Sequence, residues 1–123
     1  MPKKIFITDD ADFMVNMLSV MMRDAGYEVV GTALNGEQAM ESLKALPPLA
    51  WPDIVTLDFH MPKMDGMRAI EHIRALIPGV KIVVISSDST LPVVMEARNA
   101  GVDAFIAKPF EPQTVLDAIA KFE

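Results

Sequence analysis

The 123 residues carry 51% apolar and 23% charged side chains, a net charge of -6 and no cysteine. One compact domain of this size buries roughly two-thirds of its unfolded surface, and the composition excludes a disordered tail, disulfide staples, thiolate metal sites and thiol nucleophiles. The acidic balance repels nucleic acid and anionic lipid at long range, and no Lys/Arg cluster offers a local exception.

Behind Lys3 and Lys4 the apolar run Ile5 to Ile7 soon meets Asp9, too short for a signal peptide or a membrane span. A cytoplasmic protein without membrane insertion is expected. Lys4 to Thr8 reads as a strand. From Asp12 to Ala25, Met14, Leu18, Met21 and Ala25 recur at helical spacing, which predicts an amphipathic helix capped by Asp12 and stopped by Gly26. Glu28 to Ala33 reads as a second strand. Asn35-Gly36 resembles a hairpin turn, but Ala39, Met40, Leu43 and Leu46 have helical period, so a loop into a helix over Glu37 to Leu46 is expected.

Pro47, Pro48 and Pro52 stiffen the connector that leads to a third strand, Ile54 to Leu57. Met67, Ile70, Ile73 and Ile77 form the buried stripe of a third helix, which Pro78-Gly79 ends. Lys81 to Ser86 contains the uninterrupted run Ile82-Val83-Val84-Ile85, the pattern of a strand whose sheet is covered on both faces. A weaker helix, Leu91 to Ala100, closes at Gly101; Ala104 to Ala107 is a fifth strand. Pro112 then opens a last helix with Val115, Leu116, Ile119 and Phe122 on its inner face.

Strict alternation of strands and helices predicts an α/β fold with a parallel sheet between two helix layers, because parallel neighbours require crossovers. Ligands of such sheets bind beyond the carboxyl ends of the strands. Asp9-Asp10, Asp58, Ser86 and Lys108-Pro109 all fall at those ends. Carboxylates brought close repel one another and resist ionisation unless a cation sits among them, so the cluster points to a divalent-metal and phosphoryl site.

The order of these residues carries a family resemblance. Asp9-Asp10, the run Asp58-Phe59-His60-Met61-Pro62-Lys63-Met64-Asp65-Gly66, Ser86, Phe105 and Lys108-Pro109 together resemble the receiver domain of two-component response regulators, over essentially the whole chain, 1–123. The resemblance implies a flavodoxin-like doubly wound (βα)5 sheet of order 2-1-3-4-5. It implies that Asp58 accepts a phosphoryl group from a sensor histidine kinase or phosphotransfer domain, with Lys108 and Ser86 assisting. Mg²⁺ would be held by Asp10, Asp58 and the backbone carbonyl of His60, with Asp9 acting mainly through water. Ser86 and Phe105 would form the switch that repacks the surface of the fourth helix, fifth strand and fifth helix for an output protein or effector domain. His60 and Asp88, each two residues past a site residue, would flank the path of hydrolytic water. The peptide before Pro109 is commonly cis in this family.

The resemblance further implies a signalling domain that catalyses only its own phosphorylation and dephosphorylation, not an enzyme with a separate substrate. The sequence runs to Lys121-Phe122-Glu123 just past the fifth helix, as a stand-alone regulator or as a piece of a longer one; no direct nucleic-acid binding by this chain is expected, and no residue argues for more than a monomer or weak dimer. Serine at 86 drops a methyl group relative to threonine, which loosens its rotamer, and Phe105 lacks the phenolic oxygen of a tyrosine.

Taken singly, the same residues read more plainly: Asp9 or Asp10 as a helix cap, Lys108 as a solvated lysine, Ser86 as a loop serine, Phe105 as a core aromatic. His72, beside Glu71, reads as solvated, the ten methionines as core filler and Trp51 as packing of the connector over the third helix. Two other function classes fit parts of the pattern. A haloacid-dehalogenase-type phosphatase would use Asp9 or Asp10 as nucleophile and demote Asp58 to a ligand. A flavodoxin-like FMN binder would need a Ser/Thr/Gly-rich cradle after the first strand, where this chain places acids.

Overall fold

In the computed structural model, residues 3–61 and 66–122 are described. Pro62, Lys63, Met64 and Asp65 of the motif, and Glu123 at the end, lie outside the described residues. Five strands form one parallel sheet: β1 (Lys4–Thr8), β2 (Glu28–Ala33), β3 (Ile54–Leu57), β4 (Lys81–Ser86) and β5 (Ala104–Ala107), in the order β2-β1-β3-β4-β5. Five helices connect and follow them: α1 (Asp12–Asp24), α2 (Gly36–Ala45), α3 (Gly66–Leu76), α4 (Leu91–Asn99) and α5 (Pro112–Ala120). The expected flavodoxin-like fold is the observed one.

Two apolar layers lie on either side of the sheet. Phe6, Val55, Leu57, Ile82 and Val84 meet α2, α3 and α4 through Leu43, Ile70, Ile73 and Ala97. Ile5, Ile7, Ile54, Val83 and Ile85 meet α1 and α5 through Leu18, Met22, Val115 and Ile119. The central strands β1, β3 and β4 therefore bury both faces, which is why they read as continuous apolar runs. Register slips by one residue where Ile5 pairs with Val29 but Phe6 with Gly31. A Cβ at Gly31 would stand 2.7 Å from the Phe6 ring, so glycine gives that ring its room.

The helix boundaries differ from the expected ones by a residue at several ends, as fraying termini do. Two differences have a structural cause. In α1 the buried face is Met14, Val15, Leu18, Ser19 and Met22, while Met21 is half-buried and Ala25 is exposed. A stripe that advances by four residues drifts round the helix, so the inner face runs through Met14, Leu18 and Met22 and through Val15 and Ser19. Asp12 does not cap α1: Ala11 holds the cap position without a side-chain bond, and Asp12 is the first helical residue, favoured there by the helix dipole.

Elsewhere local chemistry agrees with tertiary need. Asn35 caps α2 by accepting from the Gln38 N–H at 2.8 Å, while Gln38 Oε1 accepts from the Leu34 N–H. That reciprocal pair explains why Asn35-Gly36 opens a helix instead of a hairpin. The proline-rich connector contains a short 3₁₀ turn, Pro48–Ala50, and Trp51 packs partly buried on the α2–α3 side of the core. Phe122 lies beyond α5 yet still packs on the α1–α5 side.

Candidate functional site

The carboxyl ends of β1, β3, β4 and β5 are adjacent in the sheet, and the ladder continues past each strand into the functional residues. Asp9 N–H donates to Ala33 O, Asp58 N–H to Thr8 O and Lys108 N–H to Ser86 O. These backbone bonds seat Asp9, Asp58, Ser86 and Lys108 along one edge before any side chain acts.

Carboxylate oxygens of Asp9, Asp10 and Asp58 lie within 4.8 Å of one another, a donor set that suits a hard divalent cation. Asp9 and Asp58 are buried, and Asp10 stands exposed at the rim. Lys108 reaches across this edge. Its Nζ is 2.5 Å from Asp9 Oδ2 and 3.1 Å from Asp58 Oδ2. The lysine expected to face Asp58 thus holds two acids, and Asp9 is the nearer.

Each acid has a second bond. Asp9 Oδ1 accepts the Ala11 N–H at 3.0 Å, and Asp58 Oδ1 accepts the His60 N–H at 3.1 Å. Burial pushes the Asp58 carboxyl above its ordinary 3.8, outweighing Lys108 and the His60 N–H, and the charge of Asp9 adds to the rise. For Lys108, burial pulls the ammonium down, but the hydrogen bonds and charges of Asp9 and Asp58 together raise it above 10.5. The peptide between Lys108 and Pro109 is cis.

Ser86 is fully buried, and its Oγ accepts the Asp88 N–H at 3.1 Å. That bond leaves the hydroxyl proton free to donate. Phe105 on β5 is half-buried against the α2–α3–α4 side of the core, with part of its ring open. His60 and Asp88, each two residues past a site residue, are joined in the structure, His60 Nε2 to Asp88 Oδ2, at 3.0 Å. Thr90 hydroxyl and N–H hold the Asp88 carboxyl below its usual range, with His60 adding to the effect. No periodicity in the chain could have disclosed a pair 28 residues apart.

Gly66 also has a part that its place in the motif did not explain. Its N–H donates to Phe59 O at 2.8 Å, and a Cβ there would stand 2.6 Å from that oxygen. The close approach brings the start of α3 against Phe59.

A flavodoxin-like sheet whose carboxyl edge gathers three acids, a buried serine and a lysine defines a signal-receiver type of α/β protein. The model of the response regulator receiver domain family matches residues 5–120, and the chain belongs to that family. It is 46% identical over 121 residues to chemotaxis protein CheY of Thermotoga maritima, covering 98% of each chain. It is 40% identical over 121 residues to the CheY of Bacillus subtilis, again covering 98% of each. Among solved structures, the CheX-CheY-BeF3-Mg complex from Borrelia burgdorferi matches with a TM-score of 0.89 at 30% identity, covering 98% of this chain and 89% of that one. The protein is therefore a CheY-like signalling receiver of the two-component type and not an enzyme in the ordinary sense. No helix among the described residues is long and apolar enough to cross a membrane.

Proposed function

We propose that Asp58 is the phosphoacceptor and that its phosphorylation by a sensor histidine kinase or phosphotransfer domain switches the α4-β5-α5 surface for an output partner. The observation that carries this reading is the Lys108 ammonium, 3.1 Å from the Asp58 carboxylate, on an edge shared with Asp9 and Asp10. The Asp58 carboxylate attacks the phosphorus of a phosphohistidine; a P–O bond forms, the P–N bond breaks, and the imidazole keeps the electron pair. A loose in-line transfer needs positioning and charge neutralisation more than covalent machinery.

Asp10, Asp58 and the backbone carbonyl of His60 would hold a Mg²⁺, which when bound neutralises charge on the transferring phosphoryl oxygens. Both oxygens of Asp9 are already engaged, by Ala11 and Lys108. The oxygens of Asp58 are engaged as well, by the His60 N–H and Lys108, so hydrogen bonding does not rank those two acids; exposure at the rim supports Asp10 as the open direct ligand. Lys108 pairs with Asp58 before transfer and with a phosphoryl oxygen afterwards. Ser86 then turns its free proton to the new dianion, the loop after it follows, and Phe105 settles inward. Such a switch changes the populations of two packings that already exist.

Chemotaxis proteins among the relatives suggest a motility pathway for this chain, and the Borrelia burgdorferi CheX-CheY complex suggests a partner of similar kind. The test is labelling by a small acyl phosphate. Asp58→Asn should lose all acid-stable aspartyl phosphate, whereas label persisting in that variant would favour the haloacid-dehalogenase reading, with Asp9 or Asp10 as nucleophile. Beryllofluoride with Mg²⁺ should move the amide signals around Phe105; unchanged signals there would remove the switch.

A further inference from the structure

The loops that follow β3 and β4 are tied together by side chains. His60 Nε2 lies 3.0 Å from Asp88 Oδ2, while Asp88 Oδ1 accepts both the Thr90 N–H at 3.1 Å and the Thr90 hydroxyl at 2.7 Å. Thr90 is the residue from which α4 begins. The Asp88 N–H donates in turn to Ser86 Oγ, and the His60 N–H donates to Asp58 Oδ1. A continuous chain of hydrogen bonds therefore runs from the Asp58 carboxylate through His60 and Asp88 to Ser86 on one branch and to the first turn of α4 on the other. The bonds among Ser86, Asp88 and Thr90 are local turns that would travel with their loop as a unit. The His60 ring anchors that unit to a different strand.

Asp58 is 5% exposed, so an in-line phosphoryl donor must approach through the narrow opening at the rim above it. Lys108 and Asp9 close one side of that rim, and the His60–Asp88 bridge spans the gap between the ends of β3 and β4. Ser86 Oγ cannot move far toward a new phosphoryl group without leaving the Asp88 N–H, and Asp88 cannot follow it while held by His60.

We propose that the His60–Asp88 bridge is a latch: it holds Ser86 and the start of α4 in the unphosphorylated arrangement and narrows the approach to Asp58. The inference rests on Asp58 being the phosphoacceptor. A latch of this kind opposes both phosphorylation and the switched state, so cutting it favours both.

The test compares the intact chain with His60→Ala, Asp88→Ala, the double variant and His60→Gln. The readouts are the initial rate of phosphorylation by acetyl phosphate and the beryllofluoride concentration that half-saturates the amide shifts in the presence of Mg²⁺. His60→Ala keeps the backbone carbonyl, and the ring it removes is 57% exposed, so the fold survives. Each alanine variant should raise the rate and lower the half-saturation by roughly two- to fivefold, the coupling that a partly exposed hydrogen-bonded pair supports. The double variant should do no more than either single one, and His60→Gln, which can still donate to Asp88, should return toward the parent. Removing the Asp88 charge alone would also welcome an anionic donor, so His60→Ala decides between latch and charge. If His60→Ala leaves both readouts unchanged or moves them the other way, or if the two effects multiply in the double variant, the latch is overturned. A parent chain that takes no label on Asp58 overturns the phosphoacceptor reading and the latch with it; a labelled parent beside an unchanged His60→Ala overturns the latch alone.

Discussion

Lys108 and Asp9, 99 residues apart in the chain, meet at 2.5 Å between Nζ and Oδ2, closer than the lysine comes to Asp58. Both partners are largely buried, at 14% and 2% side-chain exposure, so this pair stands in low dielectric and its loss leaves an uncompensated charge. Because the folded Lys108 is raised above 10.5, its contribution to stability is present in full below that value and is lost as pH rises through the folded one. Asp9→Asn weakens the hold. Thermal melts at rising pH should show the alkaline loss beginning earlier in that variant, with about 2 kcal/mol lower stability at neutral pH; identical alkaline limbs would mean that Asp58 alone retains the lysine.

Asp58 has the opposite sign. Its folded carboxyl lies above 3.8, so the ionised form costs folding free energy at every pH above the folded value, and the cost is relieved as pH falls through it. In metal-free protein at neutral pH, Asp58→Asn should therefore melt higher than the parent, and the gain should vanish on acidification. Lower melting of the variant at neutral pH would mean that Lys108 and the His60 N–H return more than burial takes.

Binding of a divalent cation by the native state alone stabilises it by linkage, by about 2.7 kcal/mol at a hundred times the dissociation constant. Mg²⁺ should raise the melting temperature of the parent, and Asp10→Ala should abolish the rise. Asp10 is exposed, so its truncation should leave the metal-free melting temperature nearly unchanged. A full Mg²⁺ response in Asp10→Ala would remove Asp10 from the ligand set.

Gly66→Ala places a methyl group 2.6 Å from the Phe59 carbonyl oxygen and 2.7 Å from its ring. Something must shift, and overpacking of that kind costs about 1–3 kcal/mol. Urea unfolding should register the loss, and labelling of the neighbouring Asp58 should slow, since Phe59 directly follows the proposed phosphoacceptor. Full labelling with unaltered stability would mean that the segment yields without strain.

The sequence made most of the fold legible because period and punctuation coincide. Ile82-Val83-Val84-Ile85 had the pattern of a strand covered on both faces, and of the stripe Met67, Ile70, Ile73 and Ile77 the structure buries Ile70 and Ile73 on α3 and Ile77 just past its end, with Met67 half-buried. On α1 the stripe misled, because so many of its residues are apolar that period alone did not choose a face. Phe13 and Val20 remain 70% and 57% exposed, while Val15 and Ser19 go inside. The choice belonged to the sheet against which α1 lies.

By itself the chain determined which residue types stand at the ends of the strands, since each end is a local event of an apolar run meeting an acid, a hydroxyl or a lysine. Only the tertiary structure decided how those ends share their charges. Strand order makes β1, β3, β4 and β5 neighbours, and the ladder bonds of Asp9, Asp58 and Lys108 set them within reach of one another. Long-range partners such as Lys108 with Asp9, or His60 with Asp88, depend on side-chain reach across adjacent loops, a distance that no spacing along the chain encodes.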